Sequence, residues 1–382
     1  MSRVEADETT TYVKASCLCQ SNQFLIAFLT STLPQASHYC HCSICRHTTG
    51  QMGTDGAVAS NAPLALVENG APKDLADLSN LSRYNASPSL TRYFCKTCGA
   101  HMIFKLQTNS GQVVWGATTG CLERTKGIVQ LRYHVHLNST KDGGFSNHYR
   151  SVNGVELPRY AEWGKGALLP PDWKDDDLLL LQKKFENEIH AHCCCKKISF
   201  RITRPTQEAS KEQSNWWLIP GEDDPNYPTG HKPPRFFAAH CFCTSCRLSH
   251  GSTVSNCVLI PRTNIFTQDG KNITLSTDRP SNLTQYCSSP NTYREFCSTC
   301  GASAFWWTLQ KDNSIVPVDE NSSEPVYISV SAGLLSEEEG GALLESWVSW
   351  SEILGYPEDA LDQSVVEAIQ EGVMGKVDRK AS

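Results

Sequence analysis

No window of this sequence approaches twenty uncharged apolar residues, so a membrane span is not expected. Basic residues are not in excess either: 34 Lys and Arg stand against 40 Asp and Glu, a net charge of −6. That balance argues against a nucleic-acid partner, because proteins that bind phosphate backbones cluster Lys and Arg on one face. The N-terminal stretch MSRVEADETTTYVKAS is polar and acidic, without the basic start and apolar run of a secretory leader. The expected compartment is therefore a reducing one, the cytosol or else the nucleus. There, paired cysteines serve as metal ligands more readily than as disulfides. Cysteine is what the sequence has in plenty: eighteen in 382 residues, mostly in C-x-C and C-x-x-C pairs.

The pairs occur twice, in one order. Cys17-x-Cys19, Cys40-x-Cys42-x-x-Cys45 and Cys95-x-x-Cys98-Gly99 are followed by Cys193-x-Cys195, Cys241-x-Cys243-x-x-Cys246 and Cys297-x-x-Cys300-Gly301. Flanking residues repeat too, F-C-K-T-C-G-A from Phe94 against F-C-S-T-C-G-A from Phe296. This is a tandem duplication. One spacing breaks it: Cys19 to Cys40 takes 21 residues and Cys195 to Cys241 takes 46. The excess, about 205–234, is rich in Pro, Asn, Asp and Gly and reads as a long surface loop.

Local patterns favour strands at 113–116, 130–137, 198–202, 256–260 and 326–330. Helices are expected at 175–188, 337–344 and 357–372. The fold class is thus mainly β: two tandem small zinc-containing antiparallel β domains, a helical linker and a helical C-terminal tail. The division expected is a disordered 1–12, a first domain over 13–166, a linker over 167–188, a second domain over 189–357 and a tail over 358–382. The free ends, before about Val13 and after about Val373, are expected to be mobile.

Seven cysteines per copy divide as four and three. A C-x-C pair on a strand directs both thiolates to one face. A C-x-x-C followed by Gly is a knuckle in which the Gly supplies a positive φ. Together the two pairs make a closed four-cysteine site: Cys17, Cys19, Cys95 and Cys98, then Cys193, Cys195, Cys297 and Cys300. Cys40, Cys42 and Cys45, and likewise Cys241, Cys243 and Cys246, are left one ligand short. A metal held by three protein ligands keeps a position for water or substrate. A histidine could instead close each site, with His38, His41, His47 and His101 near the first triad and His240 and His250 near the second.

The pattern C-x-C, then C-x-C-x-x-C-R, then F-C-x-x-C-G-A resembles the glutathione-dependent formaldehyde-activating enzyme family, which includes centromere protein V. The resemblance runs from about Val13 to Trp163 and again from about Ile189 to Tyr356. In the first copy H-V-H-L-N-S-T-K-D-G-G, from His134 to Gly144, is similar to a family strand and its D-G-G turn; the second copy has W-V-S-W, Trp347 to Trp350, instead. The resemblance implies small antiparallel sheets arranged as a tent around a four-cysteine zinc. It implies the same division of ligands, with the triads as the reactive zincs, up to two zinc ions per domain and four per chain. Where the family has Gly after the second cysteine, this sequence has Gln20 and Lys196.

The activity implied is that of a carbon–sulfur lyase acting on a small thiol, glutathione or another, and a small aldehyde. Arg46 and Arg247 would then pair with a substrate carboxylate, or else neutralise a thiolate-rich site. His41 is expected to be structural rather than a proton shuttle. Cys121, Cys257 and Cys287 fall outside the repeat and are expected to be small buried apolar residues. Trp216-Trp217 and Trp306-Trp307 are expected in the core or at a domain interface. The competing class is a non-catalytic zinc module that binds a protein partner.

Overall fold

The computed structural model describes residues 9–375 apart from 68–71, 73, 165, 226, 277–278 and 310–323. Of the expected free ends, residues 1–8 and 376–382 lie outside the described residues. Strand β1 (Thr10–Ser16) begins inside the expected N-terminal free end and pairs antiparallel with β2 (Gln23–Leu29). Alternate side chains of this hairpin, Val13 and Ala15 against Phe24, Ile26 and Phe28, are buried, as a period of two requires. Strand β3 (Gln35–Cys40) leads into the short helix α1 (Ser43–Thr49). A five-stranded antiparallel sheet then forms from β4 (Gly56–Ala59), β5 (Leu81–Asn85), β6 (Leu90–Cys95), β7 (His101–Gln107) and β8 (Val113–Thr118), in the order β4-β8-β7-β6-β5. Strand β9 (Val129–Val135) runs back parallel to β3.

A small hairpin of β10 (Ser151–Val152) and β11 (Val155–Glu156) and the helix α2 (Leu178–Lys184) lead to the second copy. There β12 (Glu188–His192) and β13 (Ser199–Thr203) repeat the first hairpin. The insert is more than the loop expected: it carries helix α3 (Gln207–Lys211) and β14 (Leu218–Ile219), which adds an edge to β15 (Arg235–Cys241). Helix α4 (Thr244–His250) follows β15 as α1 follows β3. Next come β16 (Ser255–Pro261) and β17 (Ile265–Thr267), the latter pairing with β13. Strands β18 (Leu283–Ser289), β19 (Thr292–Cys297), β20 (Ser303–Thr308) and β21 (Tyr327–Ser331) complete the order β16-β21-β20-β19-β18, matching the first copy strand for strand. Finally β22 (Val348–Trp350) runs parallel to β15, as β9 does to β3, and α5 (Gln363–Met374) closes the chain.

The expected strands fall on β8, β9, β13, β16 and β21. All three expected helices are shorter: α2 covers half of 175–188, α5 begins only at Gln363 after a 3-10 turn at Pro357–Asp359, and at 337–344 only a 3-10 turn, Glu337–Glu339, forms before Gly340 and Gly341 stop it. Among the described residues no helix is long and apolar enough to cross a membrane.

The two copies pack on each other through equivalent residues, the way an isologous dimer does. The Gly333 amide donates to the Gly50 carbonyl (3.0 Å) and the Gly120 amide to the Gly251 carbonyl (3.2 Å). The Phe94 and Phe296 rings meet edge to face with centroids 6.4 Å apart. Close approach explains the glycines: a Cβ would stand 2.1 Å from the Gln51 oxygen at Gly333 and 2.2 Å from the Ser252 nitrogen at Gly120. Even the hairpin tyrosines cross over. The Tyr84 hydroxyl donates to Cys194 Sγ (3.5 Å) beside the second four-cysteine cluster. Its counterpart Tyr286 packs against the first core and feels Cys17, Cys19 and Cys98.

Candidate metal centres

The cysteines assemble as four groups: Cys17, Cys19, Cys95 and Cys98; Cys193, Cys195, Cys297 and Cys300; Cys40, Cys42 and Cys45; Cys241, Cys243 and Cys246. Within each, the sulfurs lie within 4.8 Å of one another. In the four-cysteine groups, sulfurs stand 3.4 Å (Cys17–Cys19), 3.5 Å (Cys19–Cys95), 3.4 Å (Cys193–Cys195) and 3.5 Å (Cys195–Cys297) apart. A tetrahedron with metal–sulfur bonds of ~2.3 Å has an edge of about 3.8 Å, so these separations suit a metal and are far too long for a disulfide. All eighteen cysteines are free.

The C-x-C pairs differ from expectation in one respect. Each sits in the turn after its strand rather than on the strand, since β1 ends at Ser16 and β12 at His192. The turn needs a left-handed residue just after the second cysteine, and Gln20 and Lys196 adopt φ 60° there. Substituting a side chain for Gly at that point costs about 1–2 kcal/mol without abolishing the conformation. The Gln20 side chain answers part of the cost by donating to the Cys17 carbonyl (2.9 Å). At the knuckles, Gly99 and Gly301 have the expected positive φ, 76° and 77°.

The triads are built by helix starts. Cys42 and Cys243 are the N-cap residues of α1 and α4, and their sulfurs accept from the amides of Cys45 (3.4 Å) and Cys246 (3.3 Å). The third cysteine of each triad then lies in the helix's first turn, with the first at the end of the preceding strand. Seven-residue helices ending at left-handed Gly50 and Gly251 were not visible as periodic patterns. No fourth His, Cys, Asp or Glu donor joins either triad among the described residues.

Of the histidines offered as a fourth ligand, His41, His47 and His240 are engaged elsewhere. His41 Nε2 and His134 Nδ1 are 2.9 Å apart in the core, and His240 Nε2 lies 3.0 Å from His148 Nδ1. His47 stacks on His192 and reaches Glu337 (3.0 Å). Burial holds His41 well below its ordinary range and brings His101 to about 3 and His250 to about 4, so these rings are neutral. The His38 ring, which Cys45 reaches electrostatically, lies 4.4 Å from that of the largely exposed Trp163, which also stacks on His136.

Two arginines that the sequence reading passed over touch the triads. Arg92 donates to Cys45 Sγ at 3.1 Å, and Arg294 lies 3.6 Å from Cys246 Sγ in hydrogen-bonding geometry. Both stand three residues before the first knuckle cysteine, a repeat that comparing the copies could have exposed. Hydrogen bonds from Cys40 and Cys42, with the Arg92 guanidinium, hold the Cys45 thiol well below its ordinary range; Cys241, Cys243 and Arg294 do the same for Cys246.

Arg46 and Arg247, expected to meet a substrate carboxylate or else to neutralise the thiolates, are turned into the interface between the copies. Arg46 is 1% exposed, and its Nη2 lies 2.7 Å from Glu337 Oε1. Glu337 also accepts from Ser43 and bonds His47. Arg247 donates to the Gly120 (2.6 Å) and Leu122 (3.1 Å) carbonyls. The first copy has Arg124 four residues after Gly120, where the second has Glu337 four after Gly333, so the carboxylate that Glu337 sets against α1 is matched by an arginine in the other copy. Of the cysteines outside the repeat, Cys121 is fully buried, donating to the Met102 and Thr118 carbonyls, whereas Cys287 is exposed on the outer face of β18, contrary to expectation. Trp217 and Trp307 are core residues, while Trp216 is exposed.

The model of the glutathione-dependent formaldehyde-activating enzyme family matches residues 12–139 and 227–339, well over half of the chain. The chain belongs to this family. The two matched stretches each contain one triad, and the unmatched segment between them includes α2 and most of the insert. Comparison with curated proteins and with solved structures finds no match. Family membership carries with it a glutathione-related, aldehyde-handling chemistry, and four groups of thiols that could hold metal are the features of this member on which that chemistry can rest.

Proposed function

We propose that this protein is a zinc-dependent carbon–sulfur lyase-type enzyme that joins a small thiol, glutathione or another, to a small aldehyde, or separates them. The observation that carries the reading is the contrast between the groups: two close with four cysteines, and two stop at three. In the proposed division, Cys17, Cys19, Cys95 and Cys98, with Cys193, Cys195, Cys297 and Cys300, hold structural zinc. Cys40, Cys42 and Cys45, with Cys241, Cys243 and Cys246, hold the ion that meets substrate. The thiol-rich, soft donor set fits zinc. A zinc ion so bound supplies one thing: it lowers the pKa of a substrate thiol so that it is a thiolate near neutral pH.

The chain's own groups do the rest. The Arg92 and Arg294 hydrogen bonds favour the thiolate form of Cys45 and Cys246, which ligation requires. His38, which Cys45 reaches electrostatically, and the rings of Trp163 and His136 packed with it would orient a substrate at the first triad. The sulfur lone pair forms the carbon–sulfur bond, the carbonyl electron pair moves to oxygen, and the thiol's proton ends on that oxygen. No oxidant is involved. The domains of this reading are 13–166 and 189–357, acting in a cytoplasmic or nuclear compartment.

The test is metal content together with glutathione binding in the wild type, Cys42→Ser and Cys243→Ser. Each variant is expected to lose one equivalent of metal and part of the thiol binding. Thiol binding unchanged in both variants would overturn the reading and favour a zinc module without catalysis.

A further inference from the structure

The parts of this chain that break the duplication meet at one place. Helix α2, the insert and α5, together with β22, the counterpart of β9, wall a cleft of about 940 Å³ on the second copy. Arg204 and Arg235 line it. Arg204 lies eleven residues after Cys193 and Arg235 six before Cys241; the first copy has Phe28 and Pro34 at those spacings. Phe28 is completely buried. Two cations have therefore taken positions that are apolar in the other copy.

Their surroundings do not account for them. Arg204 lays its guanidinium over the Trp347 ring, 3.9 Å from the centroid. Its Nε donates to the Glu186 carbonyl and its Nη1 to those of Pro234 and Ser346. Those are neutral acceptors, and Nη2 has no partner among the described residues. No carboxylate forms an ion pair with Arg204 or Arg235 among the described residues. Burial brings Arg204 down to about 10, and Arg235 beside it adds a like-charge push; Glu186 and Tyr227 act the other way. Lys183 adds a third cation to the lining. Of the four carboxylates there, Glu222 is occupied by Lys232 at 2.9 Å, Glu345 stands 3.9 Å from Lys174, and Glu186 and Glu352 are exposed, where water screens them. Tyr227 and Trp350 supply aromatic surface on the walls.

We propose that this cleft is a binding site for a small organic oxyanion, a carboxylate or phosphate ester, held by Arg204 and Arg235 and packed on Tyr227 and Trp350. A guanidinium presents paired N–H groups suited to either anion. The site is separate from the cysteine triads, although Trp350 stacks on His240, the neighbour of Cys241.

The test is calorimetric titration of the full-length, metal-loaded protein with inorganic phosphate and, separately, with succinate, at fixed ionic strength. Wild type is expected to bind at least one of them saturably, and the tighter one assigns the anion class. Arg235→Gln is expected to weaken that binding at least tenfold while metal content stays unchanged. Arg204→Lys, which keeps the charge but loses the fork, is expected to weaken it less. The absence of saturable binding by wild type, or equal binding by Arg235→Gln, would overturn the proposal.

Discussion

Glu337→Gln tests how far the two copies depend on each other. Glu337 belongs to the second copy but sits against α1 of the first, with both its own side chain and that of Arg46 at most 5% exposed. Burial alone would raise its carboxyl, but Arg46, His47 and Ser43 together hold it well below the usual carboxylate range. Removing one member of such a pair strands the other charge in the interior, at a cost of about 3–5 kcal/mol. With ~2.1 cal/mol/K of unfolding entropy per residue, ~3 kcal/mol lowers Tm by about 4 °C if some 370 residues unfold together, and by about 9 °C if a copy of ~160 residues unfolds alone. Calorimetry on the metal-loaded protein at pH 7 reads both the loss and the size of the cooperative unit. The pH dependence has a definite sign. A carboxyl depressed in the folded state contributes stability that is present above its unfolded value, ~4.3, and is lost as pH falls toward the folded one. The gap between wild type and variant should therefore be constant above about pH 5 and shrink below it. A Tm change under ~1 °C at pH 7 would refute the reasoning. Replacing Arg46 and Glu337 together by methionine should restore most of the stability, because no charge is then left unpaired.

Three further outcomes are expected. Cys17→Ser and Cys193→Ser should each lose a structural metal and with it the fold of that copy, seen as loss of near-ultraviolet dichroism and of about one metal equivalent; a Cys17→Ser protein that keeps its metal and its Tm would sink the assignment. Arg92→Gln should remove a charged hydrogen bond of about 1.5–3 kcal/mol and shift the thiolate-to-cobalt absorption of the cobalt-substituted first triad, leaving the second unchanged; an unmoved spectrum would show that the Arg92 contact does not affect the triad. Gly333→Ala should weaken the packing between the copies, because its Cβ would fall 2.1 Å from the Gln51 carbonyl oxygen, and should lower Tm in thermal unfolding by more than Gly154→Ala, which meets nothing within 4 Å and bears only the strain of a side chain at φ 73°.

The grouping of the cysteines was legible because duplication showed the same seven twice, and β alternation marked the strands at 198–202 and 256–260. The triad helices were not, since seven residues give barely two turns of pattern and Cys42 and Cys243 are unusual caps. Turn geometry at Gln20 and Lys196 was obscured because neither residue type advertises a positive φ. The pairing of Arg46 with Glu337 was not legible because that carboxylate lies 291 positions away in the chain, beyond any local signal. The insert was read as a loop because it is rich in Pro, Asn, Asp and Gly, although Thr206 caps α3 by accepting from the Ala209 amide (3.1 Å).

In a dimer of identical subunits, every substitution at the contact appears on both sides at once. A carboxylate that suits one side must then be tolerated on the other. Joining two copies in one chain removes that constraint, because position 124 can be Arg while position 337 is Glu. The reciprocal glycines and phenylalanines keep the shared geometry, and around them each copy is free to specialise. A single chain of this kind can set a buried carboxylate against the helix of one cysteine centre and an arginine at the matching position of its twin, which no symmetric assembly of one sequence can do.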